Sequence, residues 1–159
     1  MTLSICDLCD EYENEVRVAE PIFNHYGHRT TFGGEIVTIK CHDDNSLVKE
    51  RIDTPGNGRV LVVDGGGSLR RSLLGDQLAA KALENRWAGI IIYGAIRDIE
   101  VIADLDLGVM ALNVIPLKTE KRGLGEQDIP VRFAGVTFSP GAYVYADLNG
   151  MVVCDRALI

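Results

Sequence analysis

A chain of 159 residues is long enough for one buried core and short for two, and a hydrophobic fraction of 47% with 25% charged residues excludes disordered and fibrous structure. The formal charge of -7 argues against direct nucleic-acid binding, because that affinity rests on clustered Lys and Arg that neutralise phosphates. No apolar run reaches the roughly 20 residues of a spanning helix, and the opening MTLSICDLCDEYENE is acidic where a secretory signal is basic, so a cytoplasmic protein without a membrane partner is expected.

In chain order, residues 4–12 read as a short helix that carries Cys6 and Cys9 in a C-x-x-C. A zinc ribbon needs a second such pair, and only His25 and His28 stand near, so the two thiols are expected to act as small apolar residues on one helix face. With Cys41 and Cys154 scattered and no export signal, a disulfide framework has little support. EIVTIKC (35–41) reads as a strand in which Ile36, Thr38 and Lys40 alternate against Val37 and Ile39. A short helix over 43–53 and a turn at TPGNG (54–58) lead to an apolar strand, RVLVVDGGG (59–67), that runs into glycines.

GDQLAAKALENRW (75–87) predicts an amphipathic helix with Leu74, Leu78 and Ala82 on one face. AGIIIYGAIRD (88–98) lacks polar alternation, as expected of a strand covered on both faces. Two such strands joined through a helix form a right-handed βαβ unit, which makes them parallel. A short helix (99–106), a third strand (108–117) and a polar loop follow. Residues 131–155 then show three short β runs divided by SPG and DLNG turns. The whole, 1–159, reads as a single α/β domain whose parallel core sheet is extended or covered by an antiparallel β layer.

Parallel strands end at one edge, where the ligands of α/β folds collect. The first strand leads there to a helix starting near Asp76, and the second delivers Arg97 and Asp98. The free N–H groups of Gly75, Asp76, Gln77 and Leu78 at the helix start favour an anion, Arg97 grips a carboxylate, and Asp98 is hard enough for magnesium or manganese. The set suits a small 2-oxo acid: a metal at Asp98 to polarise the keto oxygen, Arg97 to stabilise an enolate, Asp76 to orient a water. Ordinary roles compete, with Asp76 and Asp98 as helix N-caps and Arg97 in a surface ion pair. Gly65, Gly66 and Gly67 follow a strand, but Arg70 stands where a dinucleotide fingerprint has its third glycine, so tight turning is their expected task.

The strings VLVVDGGGSLRRSLLGD (60–76), GIIIYGAIRD (89–98) and FAGVTFSPGAYVYADLNGMVV (133–153), with PIFNHYGHRTTFGGEIVTIKC (21–41), resemble the RraA-like family across nearly the whole chain. The resemblance implies an α/β/β sandwich and a homotrimer. One branch of that family consists of metal-dependent pyruvate aldolases acting on 4-hydroxy-4-methyl-2-oxoglutarate, with oxaloacetate decarboxylation as a second activity. Their motif, an Asp, twenty residues, then Arg-Asp, is met by Asp76, Arg97 and Asp98. It implies that Gly75 to Leu78 and Arg97 hold the oxoacid and Asp98 the metal. The pattern prefers a further acidic residue where this chain has Val101, with Glu100 one position earlier. The other branch consists of regulators that bind ribonuclease E and inhibit RNA processing, which makes that enzyme the alternative partner.

Overall fold

The computed structural model describes residues 3–159. The first half comprises α1 (Ile5–Glu11), β1 (Arg17–Val18), β2 (Asn24–His25), β3 (Phe32–Lys40), α2 (Ser46–Ile52), β4 (Val60–Asp64) and α3 (Asp76–Glu84). The second comprises β5 (Gly89–Ile96), α4 (Ile99–Ile102), β6 (Gly108–Val114), β7 (Glu126–Gln127), β8 (Val131–Phe133), β9 (Val136–Phe138), β10 (Tyr143–Asp147) and β11 (Gly150–Cys154). The apolar runs without an exposed face, in β3, β4, β5 and β6, lie side by side as parallel strands. The path of the sheet is β1-β11-β10-β3-β4-β5-β6-β2, with β7 beside β3 and with β8 and β9 forming a separate ribbon.

Both faces of the parallel strands are covered. On one, Val37, Ile39, Leu61, Val63, Ile90 and Ile92 meet Val48 and Ile52 of α2, Ala79 and Ala82 of α3 and Ile102 of α4. On the other, Ile36, Val60, Val62, Ile91 and Met110 meet a β layer that contributes Phe133, Phe138, Val144, Ala146 and Val153. This is the α/β/β sandwich. A third cluster, Ile5 and Leu8 of α1 against Tyr145, Val152 and Cys154, covers the outer side of the β10–β11 hairpin.

One strand serves both layers. Residues 32–35 of β3 pair antiparallel with β10, while 36–40 pair parallel with β4. The antiparallel strands therefore extend the parallel sheet and also fold over it, the two arrangements that the turn spacing left open. Thr38 is fully buried and its hydroxyl donates to the Ile129 carbonyl at 2.6 Å. The alternation in this strand thus separates two cores, and only Lys40 at its end is exposed.

Several expected elements differ in detail. The helix at 75–87 ends at Glu84 because Arg86 turns to a φ of 64°. Its buried residues are Ala79 and Ala82, while Leu74 is buried ahead of it and Leu78 only half-buried. The C-terminal β runs number four, since 131–138 folds back on itself at Ala134 and Gly135, both at positive φ. The two-residue strands β1, β2 and β7 carry no periodicity of their own and exist by pairing with longer strands. No helix of the described residues is long and apolar enough to cross a membrane.

Phe32 fastens the layers at the start of β3. Gly89 and Gly108 are register partners in β5 and β6, and a Cβ on either would lie within 2.4 Å of the Phe32 ring. The ring occupies the space two absent side chains leave. Phe32→Ala should empty that space and lower stability by about 3–5 kcal/mol, read from urea unfolding midpoints.

Candidate active site

Because β4 and β5 are parallel neighbours, the chain leaves both at the same edge. The returning end of the β4–α3 loop runs beside β5, with Leu73 N–H donating to the Ala95 carbonyl at 2.9 Å and Arg97 N–H to the Leu74 carbonyl at 3.0 Å. This stitching brings Arg97 and Asp98 against the start of α3.

Asp98 precedes α4 in a left-handed conformation, φ 58° and ψ 39°, and makes no capping hydrogen bond to that helix. Its carboxylate reaches α3 instead, where Oδ2 accepts the Asp76 N–H at 3.1 Å. A helix N-terminus favours such a charge. Gly75 makes the approach possible, for a Cβ there would stand 2.8 Å from that oxygen. Gly75 also occupies the N-cap position, so Asp76 is the first helical residue and caps nothing in the expected way; its Oδ1 accepts the Gln77 N–H at 2.9 Å. The N–H groups of Gly75 and Leu78 find no acceptor among the described residues. Arg97 lies with Nε 3.8 Å from Asp98 Oδ2 and donates from Nη1 to the Pro116 carbonyl at 3.3 Å.

All six residues singled out from the sequence line one crevice of about 260 Å³: Gly75, Asp76, Gln77, Leu78, Arg97 and Asp98. It is completed by Asn45, Lys49, Ser72, Lys118, Thr119 and Lys121, which sequence reasoning missed. A signal existed, since β3 and β6 run parallel to β4 and β5 and their following loops share the same edge. Val101 and Glu100 are exposed on α4, and neither lines the crevice.

The missed loops are held by two buried polar residues at the end of β3. Asn45 donates from Nδ2 to the Leu73 carbonyl at 3.1 Å and accepts the Thr119 hydroxyl at 2.6 Å. The Asp44 carboxylate, 2% exposed, accepts the Ser46 N–H and hydroxyl and the N–H groups of Arg122 and Leu124 at 2.6–3.2 Å. Burial works to raise this carboxyl, but the Ser46 hydroxyl and the three N–H groups outweigh it, so Asp44 titrates below the usual carboxylate range. Cys41 beside it is pushed up to about 12 by burial and by the carboxylates of Asp44, Asp64 and Asp43, which keeps it a thiol and no nucleophile.

Among the described residues no three His, Cys, Asp or Glu side chains gather as a metal cage. Cys6 is exposed, so it is not the core residue expected, while Cys9 packs partly against the α1 cluster. His25 pairs through Nε2 with the Asp147 carbonyl at 2.8 Å. Magnesium needs no such cage, since it keeps several of its waters and takes one or two carboxylates. Asp98 suits it: Oδ2 is held by α3, and Oδ1 accepts no hydrogen bond from the described residues. The glycine loop is a turn, as expected, with Gly66 and Gly67 at φ 69° and 73° and the Gly65 and Gly67 N–H groups donating to the Tyr93 carbonyl.

A family model described as RraA-like, Aldolase/RraA, matches residues 2–153. A protein of Ectopseudomonas mendocina (strain ymp) that bears the provisional name 4-hydroxy-4-methyl-2-oxoglutarate aldolase is 64% identical over 152 residues, which is 96% of this chain and 94% of that protein. Among solved structures, one named as the S-adenosylmethionine: 2-dimethylmenaquinone methyltransferase of Geobacillus kaustophilus HTA426 is 46% identical, with a TM-score of 0.95 and coverage of 98% of this chain and 97% of that one. The RNA-processing inhibitor RraA from Thermus thermophilis is 38% identical, with a TM-score of 0.96 and coverage of 100% and 96%.

Two outcomes follow from this geometry. Gly75→Ala keeps an allowed backbone, φ -121° and ψ -172°, but pushes the Asp98 carboxylate off α3; urea unfolding should show a loss of about 1.5–3 kcal/mol, the contribution of the hydrogen bond to a charged acceptor, and magnesium or manganese affinity by calorimetry should fall with it. Asp44→Asn should cost about 1–3 kcal/mol at neutral pH, because buried N–H groups lose a charged acceptor. The Asp44 contribution is complete above the ordinary carboxylate range and is lost as pH falls through the lower folded value, so urea unfolding should show wild type and variant converging in acid.

Proposed function

The chain belongs to the RraA-like family, and we propose that it is a divalent-metal-dependent lyase that cleaves 4-hydroxy-4-methyl-2-oxoglutarate to pyruvate and decarboxylates oxaloacetate as a second activity, acting in the cytoplasm. The observation that carries this reading is Asp98: a carboxylate in a left-handed backbone, anchored on α3 by one oxygen, beside Arg97 and the unpaired N–H groups of Gly75 and Leu78.

In this reading the substrate's 2-oxo carboxylate lies on the Gly75 and Leu78 N–H groups, with Arg97 beside it. Asp98 would hold magnesium or manganese, which when bound would supply Lewis-acid polarisation of the keto oxygen. The Arg97 guanidinium stabilises the charge that grows on that oxygen as the carbon-carbon bond breaks. Asp76 orients a water that takes the proton of the 4-hydroxyl and returns one to the enolate carbon. Decarboxylation of oxaloacetate passes through the same enolate, so one arrangement serves both reactions. The homotrimer belongs to this proposal too, and the exposed side chains Leu69, Val101, Leu117 and Leu124, on the loops and helix that follow β4, β5 and β6, support an assembly that covers this edge.

The likeness to an RNA-processing inhibitor favours a second reading, a regulator that binds ribonuclease E, for which the chain's charge of -7 offers an acidic surface to a basic partner. Asp98→Ala separates the two. Under the lyase reading, purified protein with magnesium or manganese releases pyruvate from either substrate, stops with chelator, and loses about 10²-fold or more in kcat in the variant. Under the regulator reading, wild type and variant are retained equally by immobilised ribonuclease E at low salt. Wild-type protein without metal-dependent turnover would overturn the lyase.

A further inference from the structure

The C-x-x-C near the start of the chain takes no part in the crevice. Its helix, α1, lies on the outer side of the β10–β11 hairpin, where it buries Ile5 and Leu8 against Tyr145, Val152 and Cys154. Cys6 is exposed and Cys9 half-buried, so the pair stands on the helix flank between that contact and solvent. The other two thiols are otherwise engaged. Cys41 is buried and kept protonated, and the fully buried Cys154 donates from Sγ to the Tyr143 and Arg156 carbonyls at 3.9 and 3.3 Å. The Cys6 and Cys9 sulfurs make no hydrogen bond among the described residues. An apolar role explains neither the exposure of Cys6 nor a second thiol one turn away.

Residues three apart on a helix are neighbours, with Cβ atoms about 5–6 Å apart. A disulfide requires about 3.5–4.5 Å, so forming one has to draw the turn together. The helix is held against that change. Ser4 Oγ accepts the Asp7 N–H at 3.2 Å, Ile5 N–H donates to Asp147 Oδ2 at 3.0 Å, and Tyr12 N–H closes the last turn on the Leu8 carbonyl at 2.8 Å. Just beyond, both Glu15 oxygens accept from Arg156 at 2.8 and 2.9 Å. A cation about 2.3 Å from each sulfur spans about 4.6 Å between them, which the undistorted turn can supply. Two thiolates complete the ligand set of a soft cation that binds in line, whereas structural zinc needs four ligands, and among the described residues no third His, Cys, Asp or Glu joins a metal cluster.

The geometry points to Cys6 and Cys9 as a two-coordinate site for a soft monovalent cation of the Cu(I) class, separate from the crevice and independent of the reaction there. Uptake exchanges two thiol protons for one ion: both S–H bonds break, two S–Cu bonds form, no electron is transferred, and two protons pass to solvent. α1 also carries the exposed carboxylates of Asp7, Asp10 and Glu11, and Asp147 of β10 meets its first turn, so the surroundings draw cations. Burial, then Cys6, Asp10 and Asp147, hold the Cys9 thiol above its ordinary range, so its proton stays until an ion displaces it. The chain thereby sorts metals by hardness, with oxygen ligands at the crevice for magnesium or manganese and two sulfurs on α1 for a soft ion.

The test is anaerobic titration of the purified full chain with Cu(I) supplied as the complex of a chromophoric chelator, read as colour lost, with X-ray absorption at the copper edge. Wild type should take one ion per chain and show two sulfur neighbours, and Cys6→Ser and Cys9→Ser should each lose the ion. Because Cys6 is exposed, Cys6→Ser should keep the wild-type thermal midpoint without copper, which distinguishes ligand loss from misfolding. Added Cu(I) should raise that midpoint in wild type and leave it unchanged in Cys6→Ser. A wild type that yields all copper to the chelator, a Cys6→Ser that retains it, or one ion bridging two chains would overturn the site. So would a pair that closes to a disulfide with glutathione disulfide yet takes up no copper when reduced, which would make it a redox couple instead.

Discussion

Burial of the parallel strands on both faces is the constraint from which the rest follows. Strands β3 to β6 carry apolar side chains into two cores, one beneath the helices and one beneath the β layer, so no side of the sheet faces water. Polar groups are left the strand ends, and of the seven buried polar or charged residues among those described, five, Asp44, Asn45, Asp64, Ser72 and Thr119, lie beyond or at the ends of strands at the site's edge. Each has a protein hydrogen-bond partner, as burial requires if it is not to cost stability. The outcome is a site whose loops are part of the core. The chain after β6 looks like a free polar loop, yet it is held by side chains about eighty residues away in sequence.

Within that frame the Asp98 conformation has a cost and a return. A left-handed non-glycine residue is disfavoured by roughly 1–2 kcal/mol, somewhat less for aspartate. A hydrogen bond to a charged acceptor contributes about 1.5–3 kcal/mol, and placement at a helix N-terminus about 0.3–1 kcal/mol more. The strain is therefore held by interactions of the same size. What the arrangement achieves is orientation, since one carboxylate oxygen is fixed on α3 and the other remains available. Preorganisation of this kind is what the proposed lyase asks of Asp98.

Charge is distributed against the average. The protein is acidic overall, but the crevice gathers Arg97 and three lysines, and a concave site with one excess sign concentrates the field that draws in counter-charged ligands. An acidic exterior and a cationic crevice are compatible with both readings of the family. Small dianions would be guided to the strand ends, while a basic protein would meet the remaining surface.

The residues by themselves determined the parallel strands at 60–64 and 89–94, the helix between them, and hence the edge where Asp76, Arg97 and Asp98 come together. Those features are local: uninterrupted apolar runs, a glycine-rich turn and the handedness of one crossover are written in adjacent residues. The tertiary structure alone decided that β3 belongs to both layers, that α3 buries Ala79 beside the expected Ala82 and leaves Leu78 half-buried, and that the Asp98 side chain binds α3 instead of capping its own helix. It also fixed the loops that carry Lys49, Lys118 and Lys121 at the crevice, through Asp44 and Asn45. Each of these depends on a hydrogen bond or packing contact between segments distant in sequence, and periodicity, which compares a residue only with its near neighbours, carries no record of such contacts.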